Sequence, residues 1–271
     1  MVKMLGRIGA NADKEKMKFR RQYIMTLEEF FQAHPKAALG FSGGVDSSYL
    51  LYAAKKYGAD VKGYFINGQF QPKFELDDAM KLAHDIDVGI SVIDADILSI
   101  DEVAANPDNR CYYCKKQVFG LLQEAASADG YELIIDGTNA SDDVDDRPGM
   151  KAIGEIGVLS PLRLCGLTKD DVRRLSKEAG LFTWNKPSYA CLATRIPTGE
   201  RITEDALIRV EGAEDALFGM GFTDFRVRKY GEAARLQLPA DQMARAVELR
   251  GEIRQAVGEF FDVVMLDLKE R

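Results

Sequence analysis

The residues with the most chemical potential lie in one short run, Ser42-Gly43-Gly44-Val45-Asp46-Ser47-Ser48. Two adjacent glycines let the backbone turn tightly and expose its N–H groups. Three serines add hydroxyl donors. The run follows an apolar stretch, Ala37–Phe41, and precedes a helical pattern, so the positive end of a helix faces the same point. Such a loop suits a pyrophosphate. It is not a Walker A loop, because no Gly-Lys-Ser/Thr is present. An acid beside a phosphate site is unfavourable unless a cation comes with it, so Asp46 implies Mg²⁺. The run predicts a pyrophosphate-bearing ligand bound across Ser42, Gly43, Gly44, Val45, Asp46, Ser47 and Ser48, with Asp46 holding the Mg²⁺. A bare glycine turn is the plainer reading, and seven residues in this context argue against it.

A second polar run, Asp136 to Gly149, carries five acids and one arginine. It begins where another apolar stretch, Glu132–Asp136, ends. Gly137 and Thr138 are placed to approach the nucleotide by their backbone. Arg147 is suited to a phosphate or a substrate carboxylate, which a guanidinium grips bidentately. The alternative is a solvated acidic loop.

Four cysteines complete the reactive set. Cys111 and Cys114 lie in Arg110-Cys-Tyr-Tyr-Cys-Lys115 at the start of a helical pattern, where the dipole and the cations Arg110, Lys115 and Lys116 favour thiolates. Cys191 lies in Lys186-Pro-Ser-Tyr-Ala-Cys191-Leu-Ala-Thr-Arg195, again flanked by cations. Cys165 reads as a small packed hydrophobe. Three readings compete. The thiols are unrelated; or all four close a tetrahedral zinc site; or Cys111, Cys114 and Cys191 hold a [4Fe–4S] cluster with one iron open to exogenous sulfide. We favour the third. The two histidines, His34 and His84, read as structural.

The elements that must position these groups follow a regular order. Short apolar runs (Ala37–Phe41, Val61–Ile66, Val88–Ile93, Glu132–Asp136) alternate with helical patterns (Asp46–Tyr57, Glu75–Asp85, Lys115–Ala128, Leu167–Ala179, the last with Thr168 as its cap). That alternation predicts an α/β fold, a Rossmann-like parallel sheet with helices on both faces. Ligands then sit beyond the carboxyl ends of the strands, where both polar loops fall. Lys16–Phe31 reads as an amphipathic helix after a weakly ordered segment, 1–15. The irregular stretch Asn185–Arg201 marks a boundary. It gives a first domain at 1–185, an active-site loop at 186–202 and a small C-terminal α/β domain at 203–271, read as helix Thr203–Met220, strands Asp224–Tyr230 and Ala234–Leu238, helix Asp241–Val257 and strand Phe261–Leu266.

Composition sets the outer limits. The chain has 271 residues, 46% hydrophobic and 29% charged, with a net charge of −7. That balance argues against a general grip on nucleic acid, which needs surplus Lys and Arg. No run of 18 apolar residues predicts a membrane span, and the N-terminus lacks a signal-peptide core. The expectation is a cytoplasmic enzyme with reduced thiols.

The loop at 42–48 is similar to the signature of the PP-loop ATP pyrophosphatase superfamily, which implies cleavage between the α- and β-phosphates of ATP. Further segments, DGTNASDDVDDRPG at 136–149, SPLRLCGLTKDDVRRLSKEAGL at 160–181, KPSYACLATRIPTGERIT at 186–203 and RVRKYGEAARLQL at 226–238, together resemble the LarE-type ATP-dependent sulfur transferases of nickel-pincer nucleotide biosynthesis. The resemblance implies a pyridinium-3,5-biscarboxylic acid mononucleotide as substrate, its carboxylate adenylylated by ATP and then converted to a thiocarboxylate. Some members sacrifice the sulfur of the cysteine matching Cys191; others carry two further cysteines and resemble cluster-dependent enzymes, the group in which Cys111 and Cys114 place this chain. Cys191 is accordingly the expected catalytic cysteine, sulfide or another sulfur donor the expected partner, and a homo-oligomer the expected assembly. Arg226 and Arg228 alternate to one face of a strand and are expected to hold the substrate phosphate. Arg195, beside Cys191, and Glu214, which matches a family acid, join Arg147 in the expected substrate-binding set. Gln237 stands where the family pattern suggests an acid. A tRNA thiolase, an ammonia-dependent synthetase of the GMP or NAD synthetase type, and a non-catalytic nucleotide-binding module are the alternatives.

Overall fold

A computed structural model describes residues 25–143 and 148–271. Four strands, β1 (Lys36–Gly40), β2 (Asp60–Gly68), β3 (Ile90–Ala95) and β4 (Ile134–Ile135), form a parallel sheet in the order β3-β2-β1-β4. The chain builds outward from β1 to β2 and β3, then crosses back to lay β4 on the other side of β1. The strand order therefore reverses between β1 and β4. Loops leaving those two strands diverge there and open a crevice.

Helices α1 (Leu27–Ala33), α2 (Val45–Lys56), α3 (Lys73–Asp85), α4 (Asp101–Ala104), α5 (Arg110–Ala128), α6 (Pro148–Ile156), α7 (Pro161–Leu164) and α8 (Lys169–Glu178) surround the sheet. Side chains alternate faces along a strand. Ala37, Leu39 and Phe41 pack with Leu50, Leu51 and Ala54 of α2, while Ala38 packs with Phe119 and Leu122 of α5. Both faces of β1 are thus buried, which is why it reads as a continuous apolar run. Thr26 and Thr168 each close a capping box, with Glu29 and Asp171, and so satisfy the first N–H groups of α1 and α8.

The C-terminal part, α9 (Glu204–Gly219), β5 (Arg226–Tyr230), β6 (Ala233–Gln237), α10 (Ala240–Glu248), α11 (Arg250–Val257) and β7 (Val263–Leu266), has its own sheet in the order β5-β6-β7. β5 and β6 are antiparallel, and β6 and β7 parallel. Its core joins Val210, Leu217, Phe225, Val227 and Leu236 to Phe70, Ile97 and Val103 from the first sheet's side, and to Leu192, Ala193 and Ile196 from the Cys191 segment. That segment is therefore anchored in apolar packing.

Several boundaries differ from the expected ones. The strand expected over Glu132–Asp136 contracts to two residues; beyond it Asp136 N–H reaches the Leu159 carbonyl through a single bridge at Ile135 and Leu159. The helix expected over Asp241–Val257 breaks at Leu249, whose ψ of 16° leaves helical geometry. Pro148 and Gly149, expected as loop, open α6. Of the helix expected over Lys16–Phe31, residues 16–24 lie outside the described residues, and the described helix runs Leu27–Ala33. Among the described residues no helix is long and apolar enough to cross a membrane.

Candidate functional site

The 42–48 loop joins β1 to α2. Gly43 has a φ of +67°, and a Cβ there would lie 3.0 Å from the Glu75 carbonyl oxygen, so the close turn against α3 requires glycine. Gly44 is the N-cap of α2 and leaves the first N–H groups of that helix without a side-chain partner. Ser47 Oγ bridges the turn, lying 3.2 Å from Ser42 Oγ, accepting from Ser42 N–H and donating to the Gly44 carbonyl. Val45 faces inward and is buried, and Ser48 Oγ is fully buried with no partner. The result is a cradle of free N–H groups at a helix N-terminus, chemically suited to phosphate.

The second loop closes on the first. A Cβ at Gly137 would lie 2.9 Å from Ser47 N, so the backbone of this loop rests directly on Asp46 and Ser47. Asp136 holds its own turn by accepting from Thr138 N–H and Thr138 Oγ1, and from Ser160 Oγ. Asp46 accepts from Asn139 Nδ2 at 3.3 Å and pairs with Lys169 Nζ at 2.5 Å. Burial pushes the Asp46 carboxyl above its ordinary range, while Lys169 and Asn139 pull the other way. Lys169 supplies the positive charge that balances this partly buried acid. Arg147 lies outside the described residues.

The three cysteines of the cluster reading come into one neighbourhood. Cys111 and Cys114 lie in the first two turns of α5, and each thiol raises the proton affinity of its neighbours: Cys191 and Cys111 act on Cys114, and Cys111 acts on Cys191. Arg110 offsets this at both. Burial, however, is the first cause, and it pushes Cys114 up to about 12 and Cys191 upward as well. The expectation that dipole and cations favour thiolates is therefore overturned for these two, because desolvation outweighs them. The donor set suits a thiolate-bound group in kind, with one guanidinium and one ammonium alongside. Among the described residues, no group of three His, Cys, Asp or Glu side chains is drawn together as a metal-ion site. Cys165 packs in a different core, with Leu162 and Val172, so the four-cysteine zinc reading fails on geometry.

Arg195 and Glu214 are brought together, though not as open ligands. Both are buried, and Glu214 accepts from Arg195 Nε at 2.9 Å and Nη2 at 3.1 Å. Glu214 also accepts from Val227 N–H and from Tyr189 Oη. Arg195 Nη1 donates to the carbonyls of Ala190 and Cys191. This pair clamps the loop that bears Cys191 onto α9 and β5. Arg226 and Arg228 do share one face of β5. Arg226 donates to the Ser188 carbonyl at 2.6 Å, and Arg228 to the Thr194 carbonyl and Gln237. Burial, and then the neighbouring Arg195, lower Arg226 to about 10, with Glu214 pulling the other way.

The geometry brings four further residues to the site, of which Lys115 and Lys186 enter the sequence reading only as cations near the cysteines. Lys169 pairs with Asp46. Lys186 Nζ bonds Asp78 at 2.6 Å and the Gly43 carbonyl at 3.4 Å. Glu75, beside Lys186, is pushed up to about 7, chiefly by burial. Lys115 Nζ reaches Met150 Sδ at 4.0 Å, and burial lowers its proton affinity while Asp136 and Cys111 raise it. One signal was available. Lys169 stands at the first position of a helix, where a cation opposes the dipole and needs another reason to be there.

No protein-family model matches the chain. An uncharacterised protein of Synechocystis sp. is 37% identical over 255 residues, covering 91% of this chain and 93% of that one. The pyridinium-3,5-bisthiocarboxylic acid mononucleotide synthase of Lactiplantibacillus plantarum is 34% identical over 236 residues, 86% of each chain. A tRNA-specific 2-thiouridylase of Thermotoga petrophila is 25% identical over 193 residues, 56% of this chain and 54% of that protein. With that extent of identity added to the paired loops at the sheet's switch point, the chain belongs to the LarE family of sulfur-transferring synthases within the PP-loop superfamily.

Proposed function

We propose that the protein is an ATP-dependent sulfur transferase acting on pyridinium-3,5-biscarboxylic acid mononucleotide in nickel-pincer cofactor synthesis. The observation that carries the reading is the Lys186 contact. Five positions before Cys191, it joins the cysteine segment to the Gly43 carbonyl of the phosphate loop. Activation and sulfur delivery thereby share one crevice.

The chemistry follows from what each part is suited to do. ATP would lie along Ser42 to Ser48 with its phosphates on the exposed N–H groups of the loop and of α2, and Asp46 would hold Mg²⁺, which would neutralise charge on the phosphates. A substrate carboxylate oxygen attacks the α-phosphorus, the bond to the β-phosphate bridge breaks, and pyrophosphate leaves. A carboxylate is a poor electrophile, whereas the resulting acyl-adenylate has a good leaving group. A sulfur nucleophile then attacks the acyl carbon, AMP departs, and a thiocarboxylate remains. Repetition on the second carboxylate completes the product. Arg226 and Arg228 line the approach with positive charge. Arg195 and Glu214 hold the Cys191 loop, and Arg147 belongs to the same proposed substrate set.

The sulfur source is proposed as a [4Fe–4S] cluster on Cys111, Cys114 and Cys191; when bound, it supplies an iron position able to carry exogenous sulfide. Three thiols sharing one neighbourhood with Arg110 support it. We further propose that the chain divides at 186–202, with 203–271 serving substrate binding and homo-oligomer assembly. The tRNA thiolase alternative has less behind it, given the net charge of −7 and a match over about half of that relative.

Substrate-dependent pyrophosphate release tests the first half. It should vanish in Asp46→Ala, and unchanged turnover in that variant would sink the adenylylation step. Anaerobic purification with iron and sulfide analysis tests the second, with about four irons per chain expected. Stoichiometric zinc with no visible absorption would count against the cluster. Loss of one H₂S from Cys191 after a single turnover, roughly 34 Da, would instead mark a sacrificial cysteine.

A further inference from the structure

The loop bearing Cys191 is tied to the helix bearing Cys111 and Cys114 by two side chains, Asn106 and Arg110. Asn106 is fully buried and has a φ of +55°, a conformation that costs energy for a residue with a Cβ. The surroundings hold it there by using nearly every polar atom it has. Its Nδ2 donates to the Pro197 carbonyl at 2.8 Å and the Glu200 carbonyl at 3.1 Å. Its own carbonyl accepts from Gly199 N–H at 2.8 Å. Its Oδ1 accepts from Arg110 Nη1 at 2.5 Å.

Arg110 is the less ordinary of the two. It is 8% exposed, and among the described residues its hydrogen bonds run to neutral partners: Asn106, the Ala193 carbonyl at 3.0 Å and Cys111 Sγ at 3.8 Å. Arg195 shows the usual arrangement, a buried guanidinium matched by the Glu214 carboxylate. A buried cation without a matching anion weakens a fold. The compensation must come when the site is loaded, and the charge that Arg110 faces is that of sulfur. Neither Asn106 nor Arg110 bonds to residues 42–48 or 136–142, so their influence is confined to the sulfur side of the crevice.

We infer that Asn106 and Arg110 are the positioning device of the sulfur site. Asn106 fixes residues 196–200 to the start of α5. Arg110 holds the backbone two residues beyond Cys191 with one nitrogen and turns the other, uncompensated, toward the anionic sulfur that attacks the acyl-adenylate. The inference rests on the sulfur-transfer reading and deepens it. Adenylylation precedes sulfur attack and occurs on the other loops, so damage to this device uncouples the two: water takes the acyl carbon in place of sulfur, AMP leaves, the carboxylate is regenerated, and pyrophosphate accumulates without thiocarboxylate.

The test measures pyrophosphate and thiocarboxylate in one reaction with ATP, sulfide and pyridinium-3,5-biscarboxylic acid mononucleotide. Arg110→Gln should keep pyrophosphate release near the wild-type rate while the ratio of pyrophosphate to thiocarboxylate rises about tenfold or more, with Arg110→Lys in between. Asn106→Asp covers the case in which Arg110→Gln fails to fold. It keeps the acceptor for Arg110 and supplies the missing carboxylate, so it too should raise the ratio. An unchanged ratio in the folded variants, or both products falling together, overturns the inference alone. A wild-type chain that releases no pyrophosphate with this substrate overturns the sulfur-transfer reading and this inference with it.

Discussion

Replacing Glu214 by Gln tests whether the Cys191 loop is held by a buried ion pair. The side chains of Arg195 and Glu214 are 0% and 1% exposed, and Glu214 accepts from two Arg195 nitrogens, Tyr189 Oη and Val227 N–H. Glutamine keeps the shape but removes the charge, and it can accept through only one oxygen. Removing one partner of a buried pair leaves the other charge uncompensated and costs about 3–5 kcal/mol. For a chain of this size that is a fall in melting temperature of roughly 6–10 °C. The assay is thermal unfolding by calorimetry or circular dichroism, at low salt and again near 1 M NaCl. Because the pair is out of reach of solvent, the loss should survive high salt, whereas a surface pair would be screened. A loss below about 2 °C, or one abolished by salt, would refute the assignment of a buried structural clamp. Thiocarboxylate formation should fall further than pyrophosphate release, since the clamp holds Cys191 and not the phosphate loop.

Three other changes probe the rest of the crevice. Gly137→Ala puts a Cβ 2.9 Å from Ser47 N, so the phosphate loop must move; ATP should bind about tenfold or more weakly with the fold intact, as read by calorimetric titration. Lys169→Met removes the cation that balances Asp46 in the free protein. The apparent affinity for Mg²⁺, free of its competitor, should rise in a metal titration. Glu75 is raised from 4.5 to about 7, so the folded chain holds that proton to higher pH than the unfolded chain does. Its ionisation therefore erodes stability as pH climbs through that window. Glu75→Gln should melt with the wild type near pH 4 and above it at pH 8; a difference that does not grow with pH would show that Glu75 is solvated.

The phosphate loop was legible because everything that defines it is local. Two glycines, the serines and Asp46 lie within seven residues, and the flanking strand and helix have strong periodicities. The parallel sheet was legible for the same reason, since strands buried on both faces leave apolar runs. Short helices with little pattern, Asp101–Ala104 and Pro161–Leu164, left no such trace.

The partnerships among distant residues were not legible. Arg195 was read as a substrate contact because it lies beside Cys191, and Glu214 because it matches a family acid. That they spend their charges on one another depends on α9 lying against the Cys191 loop, a packing outcome set by Val210, Leu217 and Leu192 together. The thiols were read as acidified by their neighbours along the chain. Desolvation by residues distant along the chain, which the sequence does not report, pushes Cys114 and Cys191 the other way. The sequence by itself determined the chemistry on offer: a phosphate cradle, an acid for a cation, and cysteines among cations. Only the tertiary structure decided which charges remain free to act and which are already neutralised, because Coulomb energy and desolvation depend on distance and surroundings in space, and folding sets both.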